Sequence, residues 1–569
     1  MPTQNSGNSV YDFEECKALF TEAASQFSTR KTIFDKQENM FFLKDSKLPT
    51  AAHIRKVIAP DPRNYVLGAT RLMTATRARW EVPRLLNADS LSEVASTIER
   101  ACDAILTISG QITNRPVEVE AALSAFLYGE VQLKVINTKA MMEGLTGAKL
   151  ERAKYVNART PLILQVVNPK IGYPLYDIDG LSVYASEEKV MVNYLRSRFG
   201  EDKLPGKKLT EKVDFYELWS DTTHCCWAAG ETDPFLLVEN TLGFIPVVGE
   251  IVEGSDFFVE ETQPSRQPLM YTYAESGLWE AQNMALTIMS SLALSIAATP
   301  MMVLEQAQAG DDIEVSTDMI PWGLVKTPPG SKFTSLLKQV IDPSIIKINE
   351  LAEQKGMESS LYRQALGEPL GNNAPFSMVS LLSSAGRLPL VPYQRCINHV
   401  LGKAMFAGLQ MCKAGGVSKT KLNGVEGVVE IDFDTLPENF VLEAMLQISV
   451  PQDERENVAI AVQATAGDNP LVSLEYARKT WLNIGQSDVM QKDIWTEKQL
   501  SLMNQLDLQA QLEQRKQELM NQSTNPAAGT PPEINNPSMT PQSQNGVPGL
   551  AATSPQPVGT LGKNSTGVV

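Results

Sequence analysis

The chain has 569 residues, 43% of them hydrophobic and 20% charged, which suits two or three globular domains and is too long for one compact core. Its formal net charge of −16 and the absence of any basic block exclude a tight duplex binder, which needs many Lys and Arg contacts to release counterions. The six cysteines, at 16, 102, 225, 226, 396 and 412, form no CxxC pair, so free thiols in a reducing compartment are expected.

In chain order, residues 1–9 are polar and Tyr11 to Phe27 carries Asp12, Glu14, Glu15 and Glu22; no signal peptide is expected, and synthesis is cytoplasmic. Residues 10–45 read as one or two helices, with Phe13, Cys16, Leu19, Phe20 and Ala23 at helical spacing. Leu91 to Leu127 reads as helix interrupted near Ser109-Gly110. From Pro161 to Glu261 short β-rich runs take over, at 162–167, 181–184, 213–219 and 235–238, with turns at Asp179-Gly180 and Ala229-Gly230. This predicts an α+β unit with an antiparallel sheet.

Glu275 to Ala298 has no charge after Glu280 and two helical faces: Asn283, Thr287, Ser290, Ser291 and Ser295 oppose Ala285, Ile288, Met289, Leu292 and Ile296. A membrane span is the competing reading of 281–304, but its Ser, Thr, Asn and Gln side chains, Pro300 and the lack of basic flanks oppose it. The small polar face suits close packing against another helix. A second helix opens at Asp342-Pro343 and closes at Gly367, with Ile345, Ile348, Leu351 and Ala352 on one side. Between the two helices, Ala309-Gly310-Asp311-Asp312 and Pro328-Pro329-Gly330 are turns, and Met302-Val303-Leu304 and Ile320 to Val325 read as edge-type strands. Trp322 there is the core of a small β element or an anchor for a partner, and inter-subunit packing is the favoured role.

Glu368 to Gly386 is a flexible loop rich in Gly, Pro and Asn. A third long helix follows from Val391-Pro392 to Gly415-Gly416, with Ile397, Val400, Leu401, Ala404, Leu409 and Cys412 as core positions. Val428 to Phe433 reads as strand and 452–521 returns to helix, the last about Thr496 to Gln522 with a broken heptad pattern. From Ser523 the Pro-rich tail lacks aromatic residues and cannot offset its chain entropy by burial, so it is expected to be disordered.

Signs of chemistry are sparse. Leu204-Pro-Gly-Lys-Lys-Leu-Thr210 lacks the first glycine and the Ser or Thr of a phosphate loop, and GxGxxG, GxSxG and HExxH are absent. Histidine occurs only at 53, 224 and 399, which limits metal sites and acid–base work. His224 beside Cys225 and Cys226 has the wrong spacing for a zinc knuckle and reads as a strand-end histidine; His399 reads as packed or interfacial. Asp177 with Asp179 and Asp432 with Asp434 could face a divalent cation, though turn solvation is the commoner cause of such pairs. No enzyme activity, metal or cofactor is expected.

The order helix, β tip, helix, loop, helix resembles the centre of bacteriophage portal proteins. Tyr273-Ala-Glu-Ser-Gly-Leu-Trp-Glu-Ala-Gln-Asn283 with Ala297-Ala-Thr-Pro-Met-Met-Val303 looks like a first stem helix entering the clip, and Leu361-Tyr-Arg-Gln-Ala-Leu-Gly367 like a second stem helix entering the tunnel loop. Asn64 to Met73, Ala78 to Pro83 and Ala125 to Val135, where a helix ends at Gly129 and a strand begins, are similar to the family's wing. Gly243 to Gly249 resembles the apolar segment before the stem, and Val472 to Ile484 a helix near the crown.

The resemblance implies an α+β portal-like ring subunit with an α/β wing, two-helix stem, small β-containing clip, long wing helix and helical crown. Residues 1–270 would form the N-terminal part of the wing, 271–298 the first stem helix, 299–335 the clip, 336–367 the second stem helix and 368–386 the tunnel loop. Residues 387–470 would form the long helix and C-terminal part of the wing, 471–522 the crown and 523–569 the tail. It implies a homo-oligomeric ring of twelve at one capsid vertex, assembled in the host cytoplasm and residing in the virion. Its partners would be the major capsid protein, the terminase large subunit, neck or adaptor proteins and duplex DNA passing without sequence specificity, with no membrane. Asn372, Asn373 and Ser377 would lie along the DNA channel, Asp311, Asp312 and Trp322 at the terminase or neck interface, and Ser290, Ser291 and Ser295 between stems. An acidic chain fits a conduit that must not hold a polyanion, and fits ordinary solubility equally well. The alternatives are another oligomeric or membrane-associated ring, or an enzyme with an unrecognised site.

Overall fold

The computed structural model describes residues 10–45, 47–48, 54–83, 89–142, 145, 147–177, 180–252, 268–298, 302–305, 332–335, 343–359, 388–424, 427–437, 440–446, 454–466, 474, 477–478 and 487–523. They fall into two units, 1–472 and 473–569. The first is an α+β body.

Helix α1 (Phe13–Gln26) begins at Asp12, whose carboxylate accepts the Glu15 amide while Glu15 accepts that of Asp12, a reciprocal capping box. Next come α2 (Ser28–Phe41), α3 (Asp61–Met73), β1 (Arg79–Glu81), α4 (Asp89–Thr113) and α5 (Val117–Tyr128). The break expected near Ser109-Gly110 falls later, at residues 114–116, where Asn114 takes a left-handed φ of 57° and Pro116 starts the next helix. Gly110 instead permits a close approach: a Cβ there would sit 3.3 Å from the Pro116 Cα. Gly129, at φ 67°, ends α5 and turns the chain into β2 (Glu130–Asn137).

After α6 (Gly147–Arg159) come β3 (Leu162–Val167), β4 (Gly172–Asp177), β5 (Gly180–Met191), α7 (Val192–Phe199), β6 (Lys212–Ser220), β7 (Thr223–Ala228), β8 (Leu236–Glu239) and β9 (Val247–Ile251). They make two antiparallel sheets, β3-β2-β9 and β4-β5-β6-β7-β8. The four runs expected as strands correspond to β3, part of β5, β6 and β8.

Then follow α8 (Tyr271–Glu275), α9 (Leu278–Ala298), β10 (Met302–Glu305), β11 (Lys332–Ser335), α10 (Pro343–Ser359), α11 (Val391–Ala414), β12 (Lys419–Gly424), β13 (Gly427–Asp432), β14 (Glu443–Met445) and α12 (Glu454–Thr465). The second unit contains α13 (Ser487–Ser523), which starts earlier than expected. Residues 524–569, expected to be disordered, lie outside the described residues.

Alternation along β2 sorts its side chains between two environments. Val131, Leu133 and Val135 enter the main core, where α11 packs on β2 with Ile397, Val400, Leu401, Ala404 and Leu409 fully buried. Each of these Val, Leu and Ile side chains contributes about 1.5–3 kcal/mol by leaving water. Gly402 lets α11 approach closely, since a Cβ would lie 2.7 Å from the Leu442 carbonyl oxygen. The core draws on Phe34 to Leu164, on Val252 and Leu269 to Trp279, and again on Leu390 to Leu446, and β1 pairs with β14, Trp80 opposite Ala444.

The other side of β2 is polar. Glu130, Gln132 and Lys134 face the five-stranded sheet: Tyr184 donates to Gln132, Lys134 pairs with Glu217, and buried Arg30 reaches Glu130 at 3.4 Å and the carbonyls of Pro169 and Gly172. On its opposite face the five-stranded sheet is covered by α1, with Phe13 and Phe20 edge-on to Trp227.

Candidate functional site

The helix expected from Glu275 starts three residues later, because Gly277 takes a left-handed φ of 73° and separates α8 from α9. α9 and α10 pack against each other. β10 leaves the pair and β11 returns beside it, antiparallel, Met302 opposite Ser335 and Glu305 opposite Lys332. The partner of the expected strand 302–304 is thus Lys332–Ser335; residues 320–325 lie outside the described residues.

The polar face of α9 holds a segment of its own chain. The Arg55 amide donates to Ser291 Oγ at 2.9 Å, the Val57 amide to Thr287 Oγ1 at 3.1 Å and the Ala59 amide to Asn283 Oδ1 at 2.8 Å. The Thr287 hydroxyl also donates to the Val57 carbonyl at 3.2 Å. The two periods match: four helical residues rise about 6 Å, and two residues of extended chain span about 6.6 Å. Side chains at steps of four therefore meet alternate amides of residues 54–60 and act as a neighbouring strand would. Asn283 and Thr287 are fully buried, Asn283 Nδ2 donates to Asp45, and Gln282 donates to Asp61.

At Asn283, Thr287 and Ser291 this corrects the expectation that the small polar face meets another helix. Asn283, Thr287 and Ser291 serve the strap of residues 54–60, because its backbone amides need acceptors once covered. Ser290 and Ser291 are half-buried; the side chain of Ser295 lies outside the described residues. The apolar stripe is split: Ala285 is buried, while Ile288 is 41% exposed and its neighbour Met284 38%. On α10, Ala352 is buried but Ile348 and Leu351, expected beside it, are about half exposed. Gly356 abuts the Tyr273 ring, with a Cβ position 2.9 Å from Cε2. Burial raises the Tyr273 phenol, which donates to Gln282.

Asp311, Asp312 and Trp322, and Asn372, Asn373 and Ser377, lie outside the described residues. His399 on α11 pairs with Glu250 at 2.9 Å and is half-exposed. Asp432 accepts the Asp434 amide at 3.1 Å and caps a short 3-10 turn, which accounts for that carboxylate pair as turn chemistry. Asp177 is exposed at the end of β4, and Asp179 lies outside the described residues.

A second cluster lies on the inner face of β6 and β7. Glu217 stands opposite Cys226 and Trp219 opposite His224 in the antiparallel register, so all four side chains share one face. His224 stacks on Trp219 at 3.5 Å between ring centroids. Its Nε2 lies 3.2 Å from Glu217 Oε1 and 3.4 Å from Cys226 Sγ. Burial holds His224 below its ordinary pKa, only partly offset by Glu217. Burial opposes ionisation of Glu217, but the Lys134 ammonium and the His224 bond prevail and hold its carboxyl well below the usual range. Glu217 was not singled out in the sequence, because its proximity to His224 depends on hairpin register. The available signal was the period of two that puts His224 and Cys226 on one face.

No family model and no curated protein sequence matches the chain. Among solved structures it is similar to the neck of an empty GTA particle computed with C6 symmetry, with a TM-score of 0.40 and 12% identity over 74% of this chain and 89% of that one. A likeness that low says nothing about function. Among the described residues no helix is long and apolar enough to cross a membrane.

Proposed function

We propose that this chain is the subunit of a bacteriophage portal ring, the channel at one capsid vertex through which DNA is packaged and ejected. The observation that carries this reading is the excursion α9, β10, β11, α10: a packed helical pair tipped by an antiparallel β pair, inserted between two stretches that build a common core. The order matches the stem and clip of the family that the sequence resembles, and the buried long helix α11 follows where that family has its wing helix.

In this role α9 and α10 are the stem, and Met284, Ile288, Ile348 and Leu351 are the apolar surface offered to neighbouring copies. The polar face of α9 is already occupied by residues 55–59. The protein acts as a passive conduit and docking platform, with terminase supplying ATP hydrolysis, neck proteins replacing it after packaging, and the capsid holding the wing. The stretch 368–386, with Glu368 as its one charge, would contact DNA through Asn372, Asn373 and Ser377 with little counterion release.

Native mass spectrometry with negative-stain imaging tests this. Twelve copies of the 62.4 kDa chain should form a closed ring of roughly 750 kDa. Only monomers or dimers at micromolar concentration, or an assembly without a central channel, would remove the proposal.

A further inference from the structure

We propose that Glu217, His224 and Cys226 form a binding site for a divalent transition-metal ion of the zinc class, set in the polar seam between the two sheets. Their ligand atoms, Glu217 Oε1, His224 Nε2 and Cys226 Sγ, lie within 4.8 Å of one another. Zinc bonds of about 2.0–2.2 Å to N and O and about 2.3 Å to S give tetrahedral ligand–ligand edges of about 3.3–3.6 Å. The His224–Glu217 and His224–Cys226 separations, 3.2 and 3.4 Å, lie within about 0.2 Å of such edges. Closing the third edge takes a movement of at most about one ångström in the thiol or the carboxylate.

The surroundings are those of an oriented ligand set. Trp219 stacks on the His224 ring and its Nε1 donates to Glu217 Oε1 at 2.9 Å. The Lys134 ammonium holds the other carboxylate oxygen, Oε2, so the carboxylate has an outer partner of the kind that fixes metal-binding groups. Apolar clusters flank the site on the same face: Val213, Phe199, Phe215 and Phe235 on one side, Tyr184, Ile245 and Val247 on the other. Burial favours the neutral imidazole, and the Lys134 ammonium favours the charged carboxylate, the forms that ligation uses. Cys226 is 3% exposed, and burial raises its thiol, as does Glu217. That environment disfavours an attacking nucleophile and suits a sulfur that deprotonates only on meeting a cation.

Binding then breaks the Cys226 S–H bond, forms the metal–sulfur bond and releases one proton to solvent; no redox change is involved. Lys134 and Arg198 lie near the site, and a solvent molecule would supply the fourth position of a tetrahedral set. A thiolate with an imidazole and one carboxylate selects zinc-like ions over magnesium or calcium, which take all-oxygen sets.

The test is titration of the full chain, dialysed against chelator, with Co2+ alone. The expected result is one equivalent bound with tetrahedral visible absorption and a near-ultraviolet thiolate charge-transfer band, both displaced by Zn2+. Glu217→Gln should keep the charge-transfer band and weaken binding on the order of tenfold or more, and Cys226→Ser should abolish the band. X-ray absorption of the zinc-loaded wild-type protein, which needs no variant, should show one sulfur among lighter ligands. Failure to bind one equivalent at micromolar Co2+, a zinc shell without sulfur, or an unchanged charge-transfer band in folded Cys226→Ser would each overturn the assignment.

Discussion

Two long helices of this protein bury opposite kinds of side chain. α11 follows the usual rule: Ile397, Val400, Leu401, Ala404 and Leu409 are sealed in the core, while Lys403 stays at the surface beside Glu250. α9 inverts it, with Gln282, Asn283 and Thr287 buried and Met284 and Ile288 in solvent. The cause is what each helix covers. α11 lies mainly on a sheet whose backbone is already hydrogen-bonded, so it gains chiefly apolar area, with Gln394 and Asn398 serving the backbone of Leu446. α9 lies on an extended segment whose amides have no sheet partner among the described residues, so it must present acceptors; Trp279 and Ala285 are still buried, but Met284 and Ile288 are left outside. A helix of the second kind is suited to a place where more protein arrives later.

The contrast can be broken at several points. Leu401→Ala should have the largest effect on the isolated chain, about 2–5 kcal/mol in urea unfolding, as for a well-packed core leucine; a loss below that range would mean that α11 can relax around the cavity. Asn283→Ala should cost about 2 kcal/mol, above the roughly 1 kcal/mol of an ordinary hydrogen bond, because the Ala59 amide and Asp45 both lose a partner. Amide exchange should accelerate at residues 55–59; unchanged protection there would detach the strap from α9.

Gly356→Ala has a sign that discriminates. Helix propensity alone would stabilise by about 1 kcal/mol, whereas the clash with the buried Tyr273 ring should destabilise by about 1–2 kcal/mol. A rise in thermal midpoint would show that α10 does not rest on that ring. The double substitution Ile288→Ser and Leu351→Ser should move the unfolding free energy of the chain by no more than about 0.5 kcal/mol. It should instead shift native mass spectra from large assemblies to small ones. Intact assemblies in that variant would place the contact between copies elsewhere.

How much of this could be read in advance depended on the distance over which each feature is decided. α11 was legible to the residue, because Pro392, Gly415 and the apolar spacing are all local. So were the Gly129 switch from helix to strand and the polar face of α9. What that face meets was not, since its partner lies more than two hundred residues upstream and carries no side-chain signature: backbone amides look alike in every sequence. Gly110 misled for a related reason, being small for the sake of Pro116 and compatible with helix. The exposure of Ile348 and Leu351 escaped periodicity as well, because an apolar stripe reads the same whether its partner is in the same chain or another. β7 was hard to delimit because Thr223 to Ala228 are nearly all buried, which removes the alternation that marks a strand. In the β6–β7 cluster, the histidine and cysteine were visible as residues, but only the hairpin register supplies Glu217.

The pairing of Trp80 with Ala444 also bears on timing. At ribosomal rates of roughly 5–20 residues per second, β1 waits roughly twenty to seventy seconds for β14 to be synthesised. Within that interval α9 and α10 are made before α11, and α11 before the strand that closes the body. A nascent chain is thus unable to display its apolar hairpin on a finished platform before β14 has emerged. For the ring proposed above, chains on one messenger would be kept from associating prematurely until β14 closes the body.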